Sequence, residues 1–308
     1  MSISTYIPYY KRNLQVAVPV MLSQFGQVMV SQVDNMMVGM VGTAELAAAA
    51  FANSVFVIMM IIGMGFSFGL TPLVGHAWSS KDYPLTGKLL RNGFFTNTLL
   101  AIVLSVIMIA VSFFFDSMGQ DEEVVALAVP YYRILVVSFL PFIWFFTFKQ
   151  FAEGMGDTLN AMIITLVANV VNIILNYVFI FGKWGSDAYG LNGAGYATLI
   201  SRILMPIAFF FVFRYRKIFW RYWVHAWRSS IEKATVWKLV KVGTPISMQM
   251  LLEVTAFAFT SIMAGWIGVV PLAAHQIAIG LSSVTFMIVT GISSGTTIRI
   301  SHQFSRGD

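Results

Sequence analysis

Long apolar runs dominate the sequence, and short polar breaks separate them. Eight runs are long enough to cross a bilayer as helices, which takes about 20 mainly apolar residues. They cover residues 14–39, 46–74, 92–114, 124–148, 159–181, 191–213, 238–266 and 271–299. Turn residues or charges fill the breaks, as in the basic stretch from Arg214 to Lys241. The pattern predicts an all-α integral membrane protein with eight transmembrane helices.

Composition and charge support a membrane location. Only 10% of the residues are charged and 58% are hydrophobic, whereas a soluble domain carries roughly 25% charged residues. Of the nineteen Lys and Arg residues, all but Lys183, Arg133 and Arg202 fall on the side of the bundle that holds the N-terminus. The positive-inside rule then predicts a multi-pass protein of the inner, or plasma, membrane with a cytoplasmic N-terminus. The same distribution favours contact with the membrane over nucleic-acid binding.

The chain also contains an internal repeat. When the sequence is shifted by 226 residues, residues 19–76 align with residues 245–302 without a gap, and 15 of the 58 positions are identical. The identities extend beyond the abundant apolar residues. They include Pro19/Pro245, Gly65/Gly291, Gly69/Gly295 and His76/His302. Six spans precede the second copy, so the repeat predicts two parallel lobes related by an axis along the membrane normal.

The repeat divides the chain into three parts. Residues 1–213 are expected to form a six-helix N-terminal lobe, and residues 214–237 a basic cytoplasmic linker. Residues 238–308 are expected to form the first two helices of a C-terminal lobe. If both lobes have six helices, four more helices of a twelve-helix protein would follow.

Four polar residues lie in the outer half of the predicted bundle. Asp34 precedes the outer end of the first span by five residues, at a depth of about 8 Å for a rise of about 1.5 Å per residue. Asn172 and Asn176 share one face of the fifth span, and Asn176 lies at the same depth as Asp34. Thr198 lies near ~10 Å on the sixth span. These oxygens predict a site for a proton or a hard cation, with Asp34, Asn172 and Asn176 as candidate ligands of Na⁺.

Other ionisable residues within the spans leave alternatives open. Arg133 enters its span from the outer side, so an Asp34–Arg133 ion pair competes with the cation site. Glu253 lies near mid-membrane in the second lobe, where it either gains and loses a proton near neutral pH or stays permanently protonated against Gln249, one turn earlier. Arg202 faces inward from the sixth span, and the sequence assigns it no partner.

Several motifs occur in a recognisable order along the chain. They are Pro19 to Asp34 and Gly39 in span 1, Gly69-Leu70-Thr71-Pro72-Leu73-Val74-Gly75 at the end of span 2, Phe151-Ala152-Glu153-Gly154-Met155-Gly156-Asp157-Thr158 after span 4, Asn172 to Tyr177 in span 5, Gly193 to Thr198 in span 6 and Gly243-Thr244-Pro245-Ile246 in span 7. In this order the chain resembles the multidrug and toxic compound extrusion (MATE) transporters, and within them the NorM-like branch. It departs from the family at Leu159-Asn160, where a basic residue and a proline are usual, and in lacking spans 9–12 with their acidic residue.

The resemblance implies a MATE-like two-lobed bundle that exports organic cations and other xenobiotics in exchange for Na⁺ or H⁺. It implies that the cation-coupling positions are Asp34, Asn172, Asn176, Thr198 and Glu253, and that the substrate cavity includes Gln24, Gln249, Met250 and Arg202. It implies no cofactor besides the coupling ion, and a monomer in the bilayer.

Two other functions remain open. A flippase for a lipid-linked precursor would need more cations at depth than Arg133 and Arg202 supply. A truncated, inactive fragment of a transporter is the third interpretation, because the second lobe holds only two spans. An intramembrane enzyme is not expected, since no HExxH or paired-aspartate motif occurs in the sequence.

Overall fold

The structure is a computed structural model that describes residues 7–306. In this range the chain forms ten α-helices and a 3-10 turn at Phe115–Met118. The helices are α1 (Ile7–Gly39), α2 (Thr43–Phe68), α3 (Leu70–Ser79), α4 (Tyr83–Ser112), α5 (Glu122–Gly154), α6 (Thr158–Phe181), α7 (Gly190–Tyr215), α8 (Lys217–Arg228), α9 (Lys233–Ile267) and α10 (Val269–Arg306).

Between residues 7 and 306, eight helical segments are long and apolar enough to cross a membrane. This confirms the predicted number of spans. Most helices begin or end a few residues outside their predicted bounds, whereas α4 begins nine residues earlier, at Tyr83, and ends at Ser112 rather than at residue 114. The second span runs through both α2 and α3, from Thr43 to Ser79. The two helices separate at Gly69, whose N–H donates to the carbonyl of Phe66. Pro72 explains the break, because it has no N–H for the carbonyl of Phe68.

Three aspartates begin the helices that follow the polar breaks. The Asp82 carboxylate accepts a hydrogen bond from the N–H of Leu85 at the start of α4. Asp121 and Asp157 cap α5 and α6 in the same way. Such caps satisfy N–H groups that have no partner within the helix. The breaks are therefore placed by capping residues as well as by loss of hydropathy.

Helix α5 lies at the centre of the first lobe. It packs against α2, α4 and α7, while α6 lies between α1 and α7. Large aromatic side chains fill the interior around it; Phe139, Phe145, Phe146 and Phe209 are fully buried. Edge-to-face contacts between helices, such as Phe139 on Phe56 of α2 at 6.0 Å between ring centroids, hold α5 against its neighbours.

Residues 214–237 contain a helix, which the sequence had predicted only as a linker. The amphipathic pattern of α8 explains it: Phe219, Tyr222 and Ala226 recur at helical spacing and are buried. The helix packs against α4 and α7. Gly87 of α4 allows the close approach, because a Cβ there would lie 2.9 Å from the backbone nitrogen of Ala226.

Helices α9 and α10 pack on the first lobe in a reciprocal pattern. Under the 226-residue shift, α9 corresponds to α1, and α10 corresponds to α2 and α3 together. Helix α9 contacts α2, and α10 contacts α1. Each copy therefore presents its first helix to the second helix of the other copy, as a two-fold axis between them requires.

Individual residues repeat this reciprocity. A Cβ on Gly65 would lie 2.7 Å from the Cα of Ser247, and one on the equivalent Gly291 would lie 3.0 Å from the Cα of Met21, the equivalent of Ser247. Gly69 approaches Gly243 in the same way that Gly295 approaches Ala17. The equivalent distances to Cα are 2.7 Å and 3.0 Å. The small residues of the repeat thus let the helices of the two copies touch backbone to backbone.

The two-fold axis passes between Gly75 and Ser301. These two positions are equivalent under the shift and meet each other, since a Cβ on Gly75 would lie 3.0 Å from the Cβ of Ser301. On either side, Trp78 stacks near His302 with 4.8 Å between ring centroids, and His76 lies 6.4 Å from Phe304. We call this end of the bundle, with the C-termini of α3 and α10 and the whole of α8, the basic end.

Candidate functional site

Asp34, Asn172 and Asn176 form one polar cluster between α1 and α6, at the end of the bundle opposite the basic end. The two asparagines lie one helical turn apart on α6, so they share one face of the helix, and this face packs on α1. The Asn176 side-chain N–H donates to the Asp34 carboxylate at 2.5 Å and to the amide oxygen of Asn172 at 3.2 Å. Asn172 and Asn176 are buried, and Asp34 is half-buried.

Arg202 completes the charge balance around this cluster. Its guanidinium donates to the hydroxyl of Ser138 on α5 at 2.8 Å. It also lies over the rings of Phe56 and Phe142, at 5.0 and 4.7 Å from their centroids. Its positive charge is close enough to act on the Asp34 carboxylate. The sequence could not identify these contacts, because they come from three different helices.

One acceptor in the cluster has no hydrogen-bond partner. Asn176 is fully buried, and its side-chain oxygen finds no donor among the described residues. A buried amide oxygen beside a carboxylate offers a lone pair to a cation or to water. The cluster can therefore hold a proton on Asp34, or offer oxygen ligands from Asp34, Asn172 and Asn176 to a hard cation such as Na⁺.

Two further residues that the sequence associates with Asp34 do not join this cluster. Thr198 is half-buried on α7, and in residues 7–306 its side chain has no hydrogen bond to Asp34 or Asn176. Arg133 is exposed on α5, where its guanidinium lies 5.8 Å from the ring centroid of Phe113. The structure thus separates Arg133 from Asp34, and the alternative of an Asp34–Arg133 ion pair is wrong. The helical rotation that buries Tyr132 turns Arg133 outward.

The residues predicted on the second lobe lie on α9. Glu253 is half-buried, Gln249 is exposed and Met250 is half-buried. No hydrogen bond joins Glu253 to Gln249 within the described part of the chain, so the structure does not support that pairing. Gln24, also predicted in a substrate cavity, is half-buried on α1.

A second buried charge cluster lies in the first lobe, and sequence reasoning missed it. Lys149 belongs to the cations on the side of the bundle that holds the N-terminus, but it is only 3% exposed, and Glu153, one turn later on α5, is 2% exposed. The lysine nitrogen lies 3.9 Å from Glu153 and 3.3 Å from the hydroxyl of Ser23 on α1, which donates to Thr165 on α6. The i, i+4 spacing of opposite charges was the available signal.

Comparison with known proteins identifies the family. The MatE family model matches residues 19–178 and again residues 245–308, so its two matches begin at an offset equal to that of the internal repeat. The probable multidrug resistance protein NorM of Agrobacterium fabrum is 30% identical, over 99% of this chain and 65% of its own length. The protein of the same name from Bradyrhizobium diazoefficiens is 32% identical, over 97% of this chain and 64% of its own length.

A solved structure has the same fold. It is described as an outward-facing conformation of a multidrug resistance MATE family transporter of the MOP superfamily. It superposes with a TM-score of 0.84 at 21% identity and covers 96% of this chain, which spans 65% of that protein. The chain thus spans about two-thirds of the length of the relatives that it matches. From its two matches to the family model, its eight membrane-crossing helices and this shared fold, the chain belongs to the MatE family of membrane transporters.

Proposed function

We propose that this protein takes part in cation-coupled multidrug efflux, as an antiporter that exports organic cations in exchange for Na⁺ or H⁺. The observation that carries the proposal is the cluster of Asp34, Asn172 and Asn176 on α1 and α6. A carboxylate inside a membrane protein marks a pathway for ions or protons. The relatives' name, probable multidrug resistance protein NorM, supports drugs as the exported substrates.

The proposed coupling step is the neutralisation of Asp34. Without a bound ion, the carboxylate is stabilised by the Asn176 amide and by the charge of Arg202 on α7. A proton or Na⁺ on Asp34 competes with both partners and changes how α1, α6 and α7 attract one another. A ligand moves a conformational equilibrium only through such a difference in affinity between two states.

Glu253 is proposed to act separately from this cluster. It lies on α9, in the second copy of the repeat, and its equivalent position in the first copy is Gln27. The carboxylates of the two copies therefore stand at different positions, and each has its own surroundings. We assign Asp34 to coupling in the first lobe and Glu253 to the second. The inner membrane location and the cytoplasmic N-terminus belong to the same proposal, on the basis of the basic end.

A lipid-linked precursor flippase is less well supported. Its pyrophosphate would require several cations at depth, but Arg133 is exposed on the outside of α5, and Arg202 is enclosed by Ser138, Phe56 and Phe142.

Efflux of a cationic dye from cells that express the chain tests the proposal. Asp34→Asn keeps the size of the side chain but cannot bind a coupling ion through its charge. We expect dye efflux to fall to that of cells without the protein, with the same amount of protein in the membrane. The matched control is Asp116→Asn, which removes a carboxylate from the exposed 3-10 turn and should leave efflux unchanged.

Because the chain spans about 65% of its relatives, the unsubstituted chain is measured first. Full efflux by Asp34→Asn contradicts the site. No efflux by the unsubstituted chain contradicts transport by this chain alone. Repeating the measurement in Na⁺-free buffer over a pH series distinguishes Na⁺ from H⁺ as the coupling ion.

A further inference from the structure

A cavity of about 730 Å³ lies at the basic end, between the C-terminus of α3, the start of α4 and helix α8. Lys81, Lys217 and Arg221 line it, and the described lining residues include no carboxylate. Asp82 follows Lys81 in the chain, but its carboxylate caps α4 by accepting from Leu85 at 2.9 Å. The cavity is therefore strongly positive.

Neutral hydrogen-bond donors complete the cavity wall. Ser79 is only 8% exposed, and its hydroxyl has no hydrogen-bond partner in the part of the chain that the structure describes. Tyr222 is buried beside it. Burial and the neighbouring Tyr83 raise the pKa of the Tyr222 phenol, so that it remains a protonated donor. Since an unsatisfied buried hydroxyl is unfavourable, a ligand with acceptor oxygens would stabilise this wall.

The surroundings of the cavity have the character of a membrane interface. Helix α8 follows the end of the sixth span directly, and Ile218, Trp220 and Trp227 on it are exposed. Arg214 lies over the ring of Trp220, 4.4 Å from its centroid. Tryptophan is enriched where the hydrocarbon of a bilayer meets its headgroups. A phosphate at this level belongs to a lipid.

We propose that this cavity binds the phosphate of an anionic phospholipid headgroup. The three cations match the negative charge, and the hydroxyls of Ser79 and Tyr222 match the acceptor oxygens. Ile218 at the rim contacts the glycerol and the start of the acyl chains. The site is distant from Asp34, at the other end of the bundle, and it does not depend on the proposed transport function.

Binding of labelled phosphatidylglycerol to the purified, delipidated chain in neutral detergent micelles tests this site. We expect Lys81→Gln, Lys217→Gln and Arg221→Gln together to weaken binding on the order of a hundredfold, since each charge near an anionic lipid contributes about fivefold. The matched control replaces Lys233, Lys238 and Lys241 with glutamine. These residues are exposed on α9, outside the cavity, and their loss changes the net charge equally. The control should bind almost as the unsubstituted chain does.

Two further comparisons identify the ligand. Phosphatidylcholine should not compete, and inorganic phosphate or glycerol 3-phosphate should not displace the lipid at millimolar concentration. Equal losses in the two triple variants, or no preference for phosphatidylglycerol over phosphatidylcholine, would overturn the proposal. Displacement by the soluble phosphates would overturn a lipid as the ligand. Ser79→Ala and Lys217→Gln, as single variants that keep the other contacts, should each weaken binding measurably, and normal binding by both contradicts the site.

Discussion

Among single residues, Lys149 and Glu153 have the largest expected effect on stability, because they form a buried ion pair. Both side chains are almost fully buried, so neither charge is stabilised by water. Removing one partner of a buried ion pair leaves the other uncompensated, at a cost of about 3–5 kcal/mol. We predict that Glu153→Gln lowers the free energy of unfolding by an amount in this range, measured by denaturation in detergent.

A second ion pair on the same molecule provides the control. Lys88 and Glu232 lie 2.7 Å apart, with side chains that are 29% and 41% exposed. Exposed pairs contribute only about 0–1 kcal/mol, so Glu232→Gln should have a small effect. The double variant Lys149→Met/Glu153→Met should recover most of the lost stability, because no charge remains buried. Equal effects of Glu153→Gln and Glu232→Gln would contradict the prediction.

Residue positions along the membrane normal could be predicted from the sequence, but positions around each helix axis could not. Counting residues from the span ends put Asp34 and Asn176 at one depth, and they are hydrogen-bonded. The same count put Thr198 nearby, yet its side chain lies apart from them. Arg133 and Lys149 show the same limit, because helix rotation decides whether a side chain faces outward or into the bundle.

At the scale of helices, small residues decide how closely the two copies approach. Gly69 at the α2–α3 junction faces Gly243 of α9, and a Cβ on either glycine would meet backbone atoms at 2.7 Å. Backbone atoms cannot move away without moving a helix, and overpacking of this kind typically costs about 1–3 kcal/mol. We predict that Gly69→Ala and Gly243→Ala each destabilise the packing of α9 on α2, measured as a lower unfolding temperature.

Gly280 on α10 is the matched control for these substitutions. It is also a helical glycine, but a Cβ there has no neighbour within 4 Å among the described residues. Gly280→Ala should raise stability slightly, because alanine favours the helix over glycine by up to about 1 kcal/mol. A loss of stability there as large as in Gly69→Ala would assign the effect to glycine itself and contradict the role of close approach.

The number and order of spans could be predicted because length and hydropathy alone determine them. Helix α8 could not, because twelve residues with four charged or histidine side chains resemble a basic linker in composition. Its aromatic residues form a buried face only when they are placed on a helix and set against α4. Whether residues 217–228 form a helix or a linker therefore depends on a tertiary contact, and a hydropathy pattern contains no information on tertiary contacts.

At the scale of the whole molecule, the Gly75–Ser301 contact fixes one end of the two-fold axis. The sequence contains no cysteine, so a pair introduced there would be the only thiols. We predict that Gly75→Cys/Ser301→Cys forms a disulfide under mild oxidation. The Cβ positions are 3.0 Å apart, and a shift of roughly half an ångström brings them into the range of about 3.5–4.5 Å that a disulfide needs. A protease site inserted between Ser229 and Ser230 allows detection, as cleaved fragments stay together on a non-reducing gel.

The control pair is Gly75→Cys/Ser293→Cys. Ser293 lies two turns from Ser301 on α10, about 12 Å away at a rise of about 1.5 Å per residue, so fragments of this variant should separate. Separation of the Gly75→Cys/Ser301→Cys fragments after oxidation would contradict the packing of α10 on α3 at the basic end.

Two equivalent ring contacts flank this axis, and both oppose movement of one repeat copy away from the other. Trp78–His302 and His76–Phe304 are equivalent, so α3 cannot part from α10 at this end without losing both. If each ring contact contributes about 0.5–1.5 kcal/mol, each multiplies the population of the joined state by about 2- to 13-fold, and the two factors multiply together. Loss of one ring should therefore remove one factor, and loss of one ring from each contact should remove the product of the two factors. The duplicated sequence thus lets two modest contacts favour the joined state more strongly than either contact does alone.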